Sequence, residues 1–379
     1  MIQRPMDSEN IRKLLDMFPV VAILGPRQCG KTTISKEFHA QHFFDLENPR
    51  DTTRLEHPQL ALENLTGLIV IDEVQRMPDL FPLIRYMVDN NPNQKFLVLG
   101  SASRDLLRQS SESLAGRIGY YNLEGFGISD VGTENFKQLW IRGGFPRSFI
   151  AASDEESLIW RENYITTFLE KDIPQLGIQI PAQSLRRFWK MLSHYHARVI
   201  NYSELGRSFG ISDTTIKKYI DILESTFMVR VHPPWYANVG KRLVKSPKIY
   251  IKDSGIFHSL MAIETEEQLE VHHKLGASWE GFALECVARS INKRNEEMYF
   301  WSTFSGAEVD LCWQKGGKNW GVEFKYMDAP KLTKSMHSAI KDLELEHLWI
   351  IYPGNERYRL EKMITVLPLK QIPARWEYE

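Results

Sequence analysis

Apolar and polar positions change their spacing twice along the chain. Up to about residue 150, short continuous apolar runs such as VVAIL alternate with stretches of helical spacing. Residues 151–240 have a pattern that is almost entirely helical, and strand-like runs return among helices in residues 270–379. Buried strands that alternate with helices indicate a parallel α/β sheet. We therefore predict an α/β domain, a helical domain and a second α/β domain, at residues 1–150, 151–260 and 261–379.

Composition narrows the class of protein only a little. The chain has 379 residues, more than one hydrophobic core normally serves, and 43% hydrophobic residues exclude broad disorder. Its formal net charge of −1 means that any nucleic-acid surface must be local. Cys29, Cys286 and Cys312 lack metal-ligand spacing and are expected to be reduced thiols. Without a signal peptide or a membrane-spanning run, the protein is predicted to be cytoplasmic and to have no membrane partner.

A glycine-rich loop follows the first apolar run. Residues 25–33 read GPRQCGKTT, which fits GxxxxGK[ST] from Gly25 to Thr32, and TTISKEF continues with helical spacing. In such a strand–loop–helix, glycines let backbone amides surround phosphate oxygens, and the following helix directs its positive end at the anion. Lys31 would bring charge to the β and γ phosphates, while the Thr32 hydroxyl would bind Mg²⁺. The loop therefore predicts a site for ATP and Mg²⁺.

A second acidic element is expected beside such a loop. GLIVIDEVQ at residues 67–75 supplies a buried strand with Asp72 at its carboxyl end, the end that faces the ligand crevice of a parallel sheet. Asp72 is predicted to hold Mg²⁺ through water. Glu73 is predicted to polarise the water that attacks the γ-phosphate.

The next apolar run, KFLVLGSAS at residues 95–103, also ends in small polar residues. Ser101 would sense the γ-phosphate or position the water, and an ordinary polar turn is the alternative. Arg104, Arg108 and Arg117 follow; one could be an arginine finger for a neighbouring subunit, although a surface arginine is the simpler interpretation of each. The predicted catalytic residues are Lys31, Glu73 and Ser101. The predicted nucleotide-binding residues are Gly25, Pro26, Arg27, Gln28, Cys29, Gly30, Lys31, Thr32, Thr33 and Asp72.

Several motifs together resemble one protein family. IDEVQRMPDLFPLIRYMVD, LVLGSAS, SLAGR, RGGFP and TTFLEKDIPQLG look like segments of a bacterial and archaeal family of AAA-type ATP-binding proteins. The resemblance spans nearly the whole chain and implies a P-loop ATPase domain, a helical segment and a C-terminal domain of unknown function. One departure is NLEGFGISD, where the family usually has a turn with proline. AAA-type sites usually lie at subunit boundaries, so the resemblance also implies a homo-oligomer.

The middle segment has the pattern of a helix-turn-helix. YSELGRSFG, the turn ISD and TTIKKYIDILES follow one another, with Gly210 ending the first helix and Ser212 or Asp213 capping the second. MVRVHPPW and LVKSPKIYIKD would complete a winged helix. Candidate phosphate-contacting residues are Thr214, Thr215, Lys217, Lys218, Lys241, Arg242, Lys245 and Lys248. A protein-interaction module with a solvated basic face is the alternative.

Acidic residues of the C-terminal segment resemble the core of a restriction-endonuclease-like nuclease. Glu280 begins an apolar helix, Asp310 lies on one strand, and Glu323 and Lys325 share a face of the next. Asp310 and Glu323 would bind a divalent metal, Lys325 would orient water, and Glu280 would complete the site. Ser302 stands where that fold often has arginine, so an inert fold that serves nucleic-acid or oligomer contacts is the alternative.

Three functions are compatible with these features. The first is an AAA-type ATPase that acts on or with DNA through a winged helix and a nuclease-like domain. The second is a nucleotide-dependent switch for a protein partner, with an inert C-terminal domain. The third is a metal-dependent DNA endonuclease gated by ATP.

Overall fold

The computed structural model describes residues 2–101, 110, 112–176, 178–235, 244–376 and 378. The chain packs as two compact units. Unit 1 consists of Met1–Asp130, Gly144–Arg147 and Ser225–Phe227, and unit 2 consists of Val131–Gly143, Ser148–Glu224 and Met228–Glu379. The division into three domains at residues 150 and 260 stays a prediction.

Unit 1 is built around a parallel sheet with the strand order β2-β3-β4-β1-β5. Its strands are β1 (Val20–Leu24), β2 (His42–Asp45), β3 (Gly67–Asp72), β4 (Gln94–Gly100) and β5 (Ile118–Asn122). The helices are α1 (Pro5–Met17), α2 (Lys31–Ser35), α3 (Pro49–Arg54), α4 (Pro58–Leu62), α5 (Leu80–Asn90) and α6 (Ile128–Val131), whose last residue belongs to unit 2. The predicted parallel α/β sheet is thereby confirmed for this part of the chain.

Strand β1 shows why this sheet has a core on each face. Val20, Ala22 and Leu24 belong to one buried cluster, and Val21 and Ile23 belong to the cluster on the other face. Successive strand residues point to opposite faces, so a strand that is apolar at every position must be covered on both sides. The continuous run VVAIL therefore fits a central strand.

Helices dominate the first part of unit 2. They are α7 (Phe136–Arg142), α8 (Pro146–Phe149), which crosses the unit boundary, α9 (Asp154–Thr167), α10 (Ile173–Gln175), α11 (Ala182–His194), α12 (Tyr202–Phe209), α13 (Asp213–Ser225), α14 (Ser254–Leu260) and α15 (Glu266–Glu270). A π-helix, Phe168–Asp172, joins α9 to α10. A small antiparallel sheet has the order β6-β8-β7, with β6 (Arg198–Val199), β7 (Val229–His232) and β8 (Lys248–Ile251).

The turn between α12 and α13 follows the sequence closely. Gly210 ends α12 in the left-handed conformation with φ of 67°, and the Ser212 hydroxyl accepts a hydrogen bond from the Thr215 amide at 3.2 Å. The two predicted helix boundaries are thus confirmed, with Ser212 as the cap. Because residues 236–243 lie outside the described parts of the chain, the winged helix stays a prediction.

The C-terminal part of unit 2 is a mixed sheet with the order β13-β14-β12-β11-β10-β9. Its strands are β9 (Met298–Ser302), β10 (Glu308–Lys315), β11 (Lys318–Phe324), β12 (Leu345–Tyr352), β13 (Tyr358–Glu361) and β14 (Ile364–Pro368). Its helices are α16 (Leu275–Ile291) and α17 (Lys334–Leu343). Short 3-10 helices lie at Lys36–Phe38, Val74–Arg76, Thr133–Asn135, Asn295–Glu297 and Leu369–Gln371.

Helix length and apolarity bear on the membrane prediction. Within the described ranges, no helix is both long enough and apolar enough to cross a membrane.

Candidate functional site

The predicted nucleotide-binding residues lie at one edge of the unit 1 sheet. The glycine-rich loop follows β1, Asp72 ends β3, and Ser101 follows β4. The register places Leu24 beside Gly100 and Ile71 beside Val98. Because the strands are parallel, all three chain segments leave the sheet at its carboxyl edge, where α/β proteins bind ligands.

Two glycines give the loop its path for different reasons. Gly30 has φ of 104°, a left-handed conformation that glycine adopts at little energetic cost. Gly25 does not have a positive φ, but a Cβ atom there would overlap the carbonyl oxygen of Leu123. The motif predicts that both glycines turn the backbone, but for Gly25 the structural reason is this close approach. Gln28 also adopts positive φ, at 63°.

Lys31 is drawn into the loop. Its side-chain ammonium donates to the carbonyl oxygens of Gly25 at 3.0 Å and Pro26 at 2.9 Å, and the residue is only 6% exposed. Arg27 instead points outward to an ion pair with Glu47 at 2.8 Å. The loop therefore surrounds a buried positive charge, the group that phosphate binding requires.

A buried carboxylate and an exposed hydroxyl of the predicted magnesium site meet directly. The Thr32 hydroxyl donates to a carboxylate oxygen of Asp72 at 2.6 Å, and the Glu73 amide donates to the other oxygen at 2.9 Å. Burial raises the pKa of Asp72, while the hydrogen bond from Thr32 opposes that rise. A hydroxyl and a carboxylate in contact are oxygen ligands of the kind Mg²⁺ takes, so these residues fit the ion.

Glu73 is positioned by a neighbour that the motif does not contain. The Gln75 side-chain amide donates to the Glu73 carboxylate and also to the Ser101 hydroxyl, the latter at 3.1 Å. Glu73 itself has φ of 56°. Burial raises the pKa of its carboxyl, whereas the charge of Lys31 lowers it. Glutamate, glutamine and serine thus form one hydrogen-bonded row along the sheet edge.

Arg4 is a second contributor that sequence analysis missed. Its guanidinium donates to the Cys29 carbonyl at 3.0 Å, to the Glu124 carbonyl at 2.8 Å and to the Asp7 carboxylate at 2.6 Å. The residue is 5% exposed. Arg4 lies 25 positions before Cys29 in a segment without a recognisable motif, so no local signal marks it. Cys29 is buried as well, and burial raises the pKa of its thiol.

The arginine-finger candidates separate into two groups. Arg117 makes an exposed ion pair with Asp89, with distances of 2.5 Å and 3.0 Å. Arg104 and Arg108 lie outside the described residues. Arg117 therefore has the geometry of an ordinary surface arginine.

Only some of the candidate phosphate-contacting residues can be placed. On α13, Thr214, Lys217 and Lys218 are exposed, and the Lys217 ammonium lies 5.1 Å from the centre of the Tyr202 ring. Lys241 and Arg242 lie outside the described residues. The assignment of Lys248 to a phosphate-contacting surface was wrong, because this residue is 2% exposed and is surrounded by carboxylates.

The four residues predicted to form a nuclease-like site do come together in unit 2. Burial is nearly complete for Asp310 and Glu323, and the Lys325 ammonium donates to Glu323 at 2.7 Å. Lys248 adds a second ammonium, 3.1 Å from Glu280 and 3.0 Å from Asp310, and it also pairs with Glu308. We call Glu280, Glu308, Asp310 and Glu323 the carboxylate cluster.

Burial and neighbouring charges set the proton affinity of this cluster. Burial raises the pKa of Glu280 to about 7 and that of Glu323 to about 8, and the charge of Asp310 adds to both. Burial also acts to raise the pKa of Asp310, but Lys248 and Lys325 bring it below the usual value. A buried group favours its neutral form unless an opposite charge compensates, and Asp310 is compensated by two ammonium groups and by the Phe324 amide.

The cluster does not fit a metal ion in the form expected from the sequence. In the part of the chain that the structure describes, no group of three or more histidine, cysteine, aspartate or glutamate side chains is arranged to hold a metal. Ammonium and phenol groups engage the oxygens instead: the Tyr250 hydroxyl donates to Glu280 at 2.6 Å, beside Lys248.

Family models match three consecutive segments of the chain. Residues 17–131 match an AAA domain, residues 133–267 a domain of unknown function (DUF8612), and residues 275–372 a domain of unknown function (DUF4143). Together with the parallel sheet and its edge residues, the first match defines the class: the N-terminal part is an AAA-type, ATPase-like domain. The expected resemblance to AAA-type proteins with a C-terminal domain of unknown function is confirmed. The restriction-endonuclease-like part stays a prediction.

Two curated mycobacterial proteins are similar over almost the whole chain. The uncharacterized proteins Mb2031c of Mycobacterium bovis and Rv2008c of Mycobacterium tuberculosis are each 46% identical over 376 residues, covering 98% of this chain and 85% of the relative. The chain belongs to the family of these two proteins. Among solved structures, the Walker-type ATPase PABY2304 of Pyrococcus abyssi has a TM-score of 0.49 at 15% identity, covering 69% of this chain and 96% of that one.

Proposed function

We propose that the protein binds and hydrolyses ATP at the carboxyl edge of the unit 1 sheet. The observation that carries this proposal is the contact between the Thr32 hydroxyl and Asp72, 2.6 Å apart, beside the buried ammonium of Lys31. These are the charge and oxygen ligands that a triphosphate with a divalent cation requires. The AAA domain match over residues 17–131 supports the same conclusion.

Each residue of the proposed site has a distinct role. Lys31 exchanges its bonds to the Gly25 and Pro26 carbonyls for bonds to the β and γ phosphates. Thr32, and Asp72 through water, would hold Mg²⁺, which would supply positive charge to the phosphates.

Water activation is assigned to the row at the sheet edge. Glu73 accepts a proton from the attacking water, and a carboxyl whose pKa is raised is the better base. Gln75 fixes the orientation of Glu73 and links it to Ser101, which lies where the γ-phosphate would be sensed. The arrangement supplies a base with a defined orientation.

Binding of ATP tests the role of Lys31. Lys31→Ala removes the only buried ammonium that we place at the phosphates, so affinity for a fluorescent ATP analogue should fall by at least about 100-fold. Lys36→Ala, which removes an exposed lysine of the following 3-10 helix, serves as the control and should bind normally. Undiminished ATP binding by Lys31→Ala would show that this loop is not the phosphate site.

We also propose a nucleic-acid contact at α13. Ile216 and Ile220 bury one face of this helix, while Thr214, Lys217 and Lys218 are exposed on another. The helix follows a tight turn at Gly210, the arrangement that helix-turn-helix proteins place against DNA. The exposed lysines would bind phosphates. Lys241 and Arg242 are added to the proposed surface on the basis of the sequence alone.

Salt-dependent binding tests this second proposal. The double variant Lys217→Ala, Lys218→Ala should weaken binding to duplex DNA and reduce the salt slope by roughly two phosphate contacts. Lys318→Ala, which removes an exposed lysine paired with Glu346, should leave both unchanged. If DNA does not bind at low salt while ATP turnover is intact, the nucleotide-dependent protein switch becomes the better function.

Oligomer formation is part of the proposal because sites in AAA-type proteins usually lie at subunit boundaries. A homo-oligomer would allow Arg104 or Arg108 of one subunit to approach the nucleotide of the next.

We do not propose the ATP-gated endonuclease, since the carboxylate cluster contains Lys248 and does not fit a metal ion.

A further inference from the structure

The ammonium of Lys248 lies among three carboxylates of unit 2. It is 3.1 Å from an oxygen of Glu280 and 3.0 Å from an oxygen of Asp310, and it also pairs with Glu308. The side chain is 2% exposed. Lysine carries a compact positive charge with three donors, and here each donor has a carboxylate partner.

The Lys248 ammonium occupies the position where a divalent cation would bind. Carboxylate oxygens from different elements converge there, Glu280 from α16 and both Glu308 and Asp310 from β10. Magnesium and manganese take such oxygens as ligands. Lys248 reaches the same position from β8. In the sequence it lies 32 positions before Glu280 and 62 positions before Asp310.

The protein makes further hydrogen bonds to three carboxylates of the cluster. The second oxygen of Asp310 accepts the Phe324 amide at 3.0 Å, and Glu280 accepts the Tyr250 hydroxyl at 2.6 Å. Glu323 uses one oxygen for Lys325, while its other oxygen is buried and has no hydrogen-bond partner among the described residues. A metal ion that used the oxygens of Glu280, Glu308 and Asp310 that Lys248 contacts would have to displace the ammonium.

Strands β7 and β8 fix the lysine in place. His232 of β7 donates to the Asp310 carbonyl at 3.2 Å, and Arg230 makes two bonds of 2.7 Å to the carboxylate of Glu285 on α16. The chain after β7 pairs with Phe300 of β9, through the Trp235 amide at 2.7 Å. Because β8 pairs with β7, these contacts hold the backbone that carries Lys248 beside the carboxylate cluster.

We propose that Lys248 is the resident cation of the carboxylate cluster and excludes a divalent metal ion while β7 and β8 lie against the C-terminal sheet. The ammonium compensates the buried carboxylates, which would otherwise need a metal or protons. The cluster then joins the middle segment to the C-terminal sheet. It does not act as a metal-dependent nuclease in this conformation.

Binding of Mn²⁺ alone, without nucleotide, tests the proposal by electron paramagnetic resonance titration. Wild-type protein and Asp310→Asn should bind the same amount of Mn²⁺, because the cluster contributes no site. Lys248→Met should gain one Mn²⁺ site, and Lys248→Met with Asp310→Asn should lose it again. Lys318→Met, which breaks an exposed ion pair, is the matched control and should behave as wild type.

Thermal unfolding supplies a second measurement on the same variants. Lys248→Met should melt about 5 °C or more below wild type because it leaves buried carboxylates unpaired, and Mn²⁺ should restore part of that loss. Any effect of Mn²⁺ on the melting temperature of wild type should be the same in Asp310→Asn. If Lys248→Met does not fold, Lys248→Gln replaces it in both measurements.

Two results would overturn the proposal. A Mn²⁺ site in wild type that Asp310→Asn abolishes would show that the lysine does not exclude the metal. A folded Lys248→Met or Lys248→Gln protein that gains no Mn²⁺ site would show that the ammonium does not occupy a metal position. Neither result depends on ATP turnover, so the proposal can fail while the ATPase stands.

Discussion

Two buried cations, Arg4 and Lys31, contact the phosphate loop through its own carbonyl groups. Lys31 bonds to Gly25 and Pro26 from inside the loop, and Arg4 bonds to Cys29 from the side of helix α1. The motif explains Lys31 but not Arg4. We therefore regard Arg4 as a positioning residue that acts on the nucleotide through the loop.

Arg4→Lys tests this role. A lysine keeps the charge but cannot reach the carbonyls of Cys29 and Glu124 and the carboxylate of Asp7 together, so the loop should lose its fixed path. We expect KM for ATP to rise by about tenfold, with a smaller change in kcat, because binding depends on the loop more than proton transfer does. Arg12→Lys, on the exposed side of α1, is the control. The assignment would be rejected if Arg4→Lys lowered kcat as strongly as it raised KM. It would also be rejected if Arg12→Lys changed both constants as much as Arg4→Lys does.

Local motifs predicted the residues of the proposed nucleotide site. Within GPRQCGKTT and GLIVIDEVQ, a few neighbouring positions carry nearly all the proposed chemistry, and the carboxyl edge of a parallel sheet brings the two segments together. Lys248 could not be assigned in this way. Its partners lie 32 and 62 positions along the chain, and from sequence alone a lysine beside a predicted wing resembles a surface residue.

Among the elements, helices α7, α14 and α16 are tied together by one chain of hydrogen bonds. The Trp140 indole donates to the Ser278 hydroxyl at 2.9 Å, and that hydroxyl lies 2.7 Å from His258 Nε2. His258 Nδ1 lies 3.1 Å from the carbonyl of Ile141 and must donate to it. The neutral imidazole therefore satisfies every partner, and burial lowers the pKa of His258 to about 3.

This histidine should contribute to acid sensitivity. Its folded pKa of about 3 lies below the usual value near 6.5, so the unfolded chain binds the extra proton between those values. The stability that neutral His258 provides is present above pH 6.5 and is lost as the pH falls below it. Compared with His258→Gln, wild type should lose about 2 kcal/mol of its free energy of unfolding between pH 7 and pH 5. Urea unfolding of both proteins at the two pH values measures the difference, and a pH-independent difference would contradict the assignment.

Element boundaries were predictable where a local signal fixes them. Gly210 and Ser212 mark the turn between α12 and α13 because left-handed glycine and a capping hydroxyl act within a few residues. By contrast, α2 covers only Lys31–Ser35 before a 3-10 helix, although TTISKEF has helical spacing throughout. The spacing of apolar residues does not distinguish an α-helix from a 3-10 helix over so few residues, so it did not predict this tightening.

For the whole molecule, the two compact units carry different proposed roles. Unit 1 contains the edge of the sheet where ATP would bind, and unit 2 contains both the exposed face of α13 and the carboxylate cluster. The family models follow the same order, with an AAA domain before two domains of unknown function. We therefore expect ATP turnover to depend on residues of unit 1 and nucleic-acid affinity on residues of unit 2.

The most direct test of the proposed ATPase is steady-state ATP hydrolysis in Mg²⁺ by wild type and Glu73→Gln, with ATP binding measured on the same samples. The glutamine keeps the shape of the side chain but cannot accept the proton, so binding should persist while turnover falls by about 100-fold or more. Glu63→Gln, at the end of α4, should match wild type in both measurements. Normal turnover by Glu73→Gln, or no turnover by wild type that binds ATP, would contradict the proposed site.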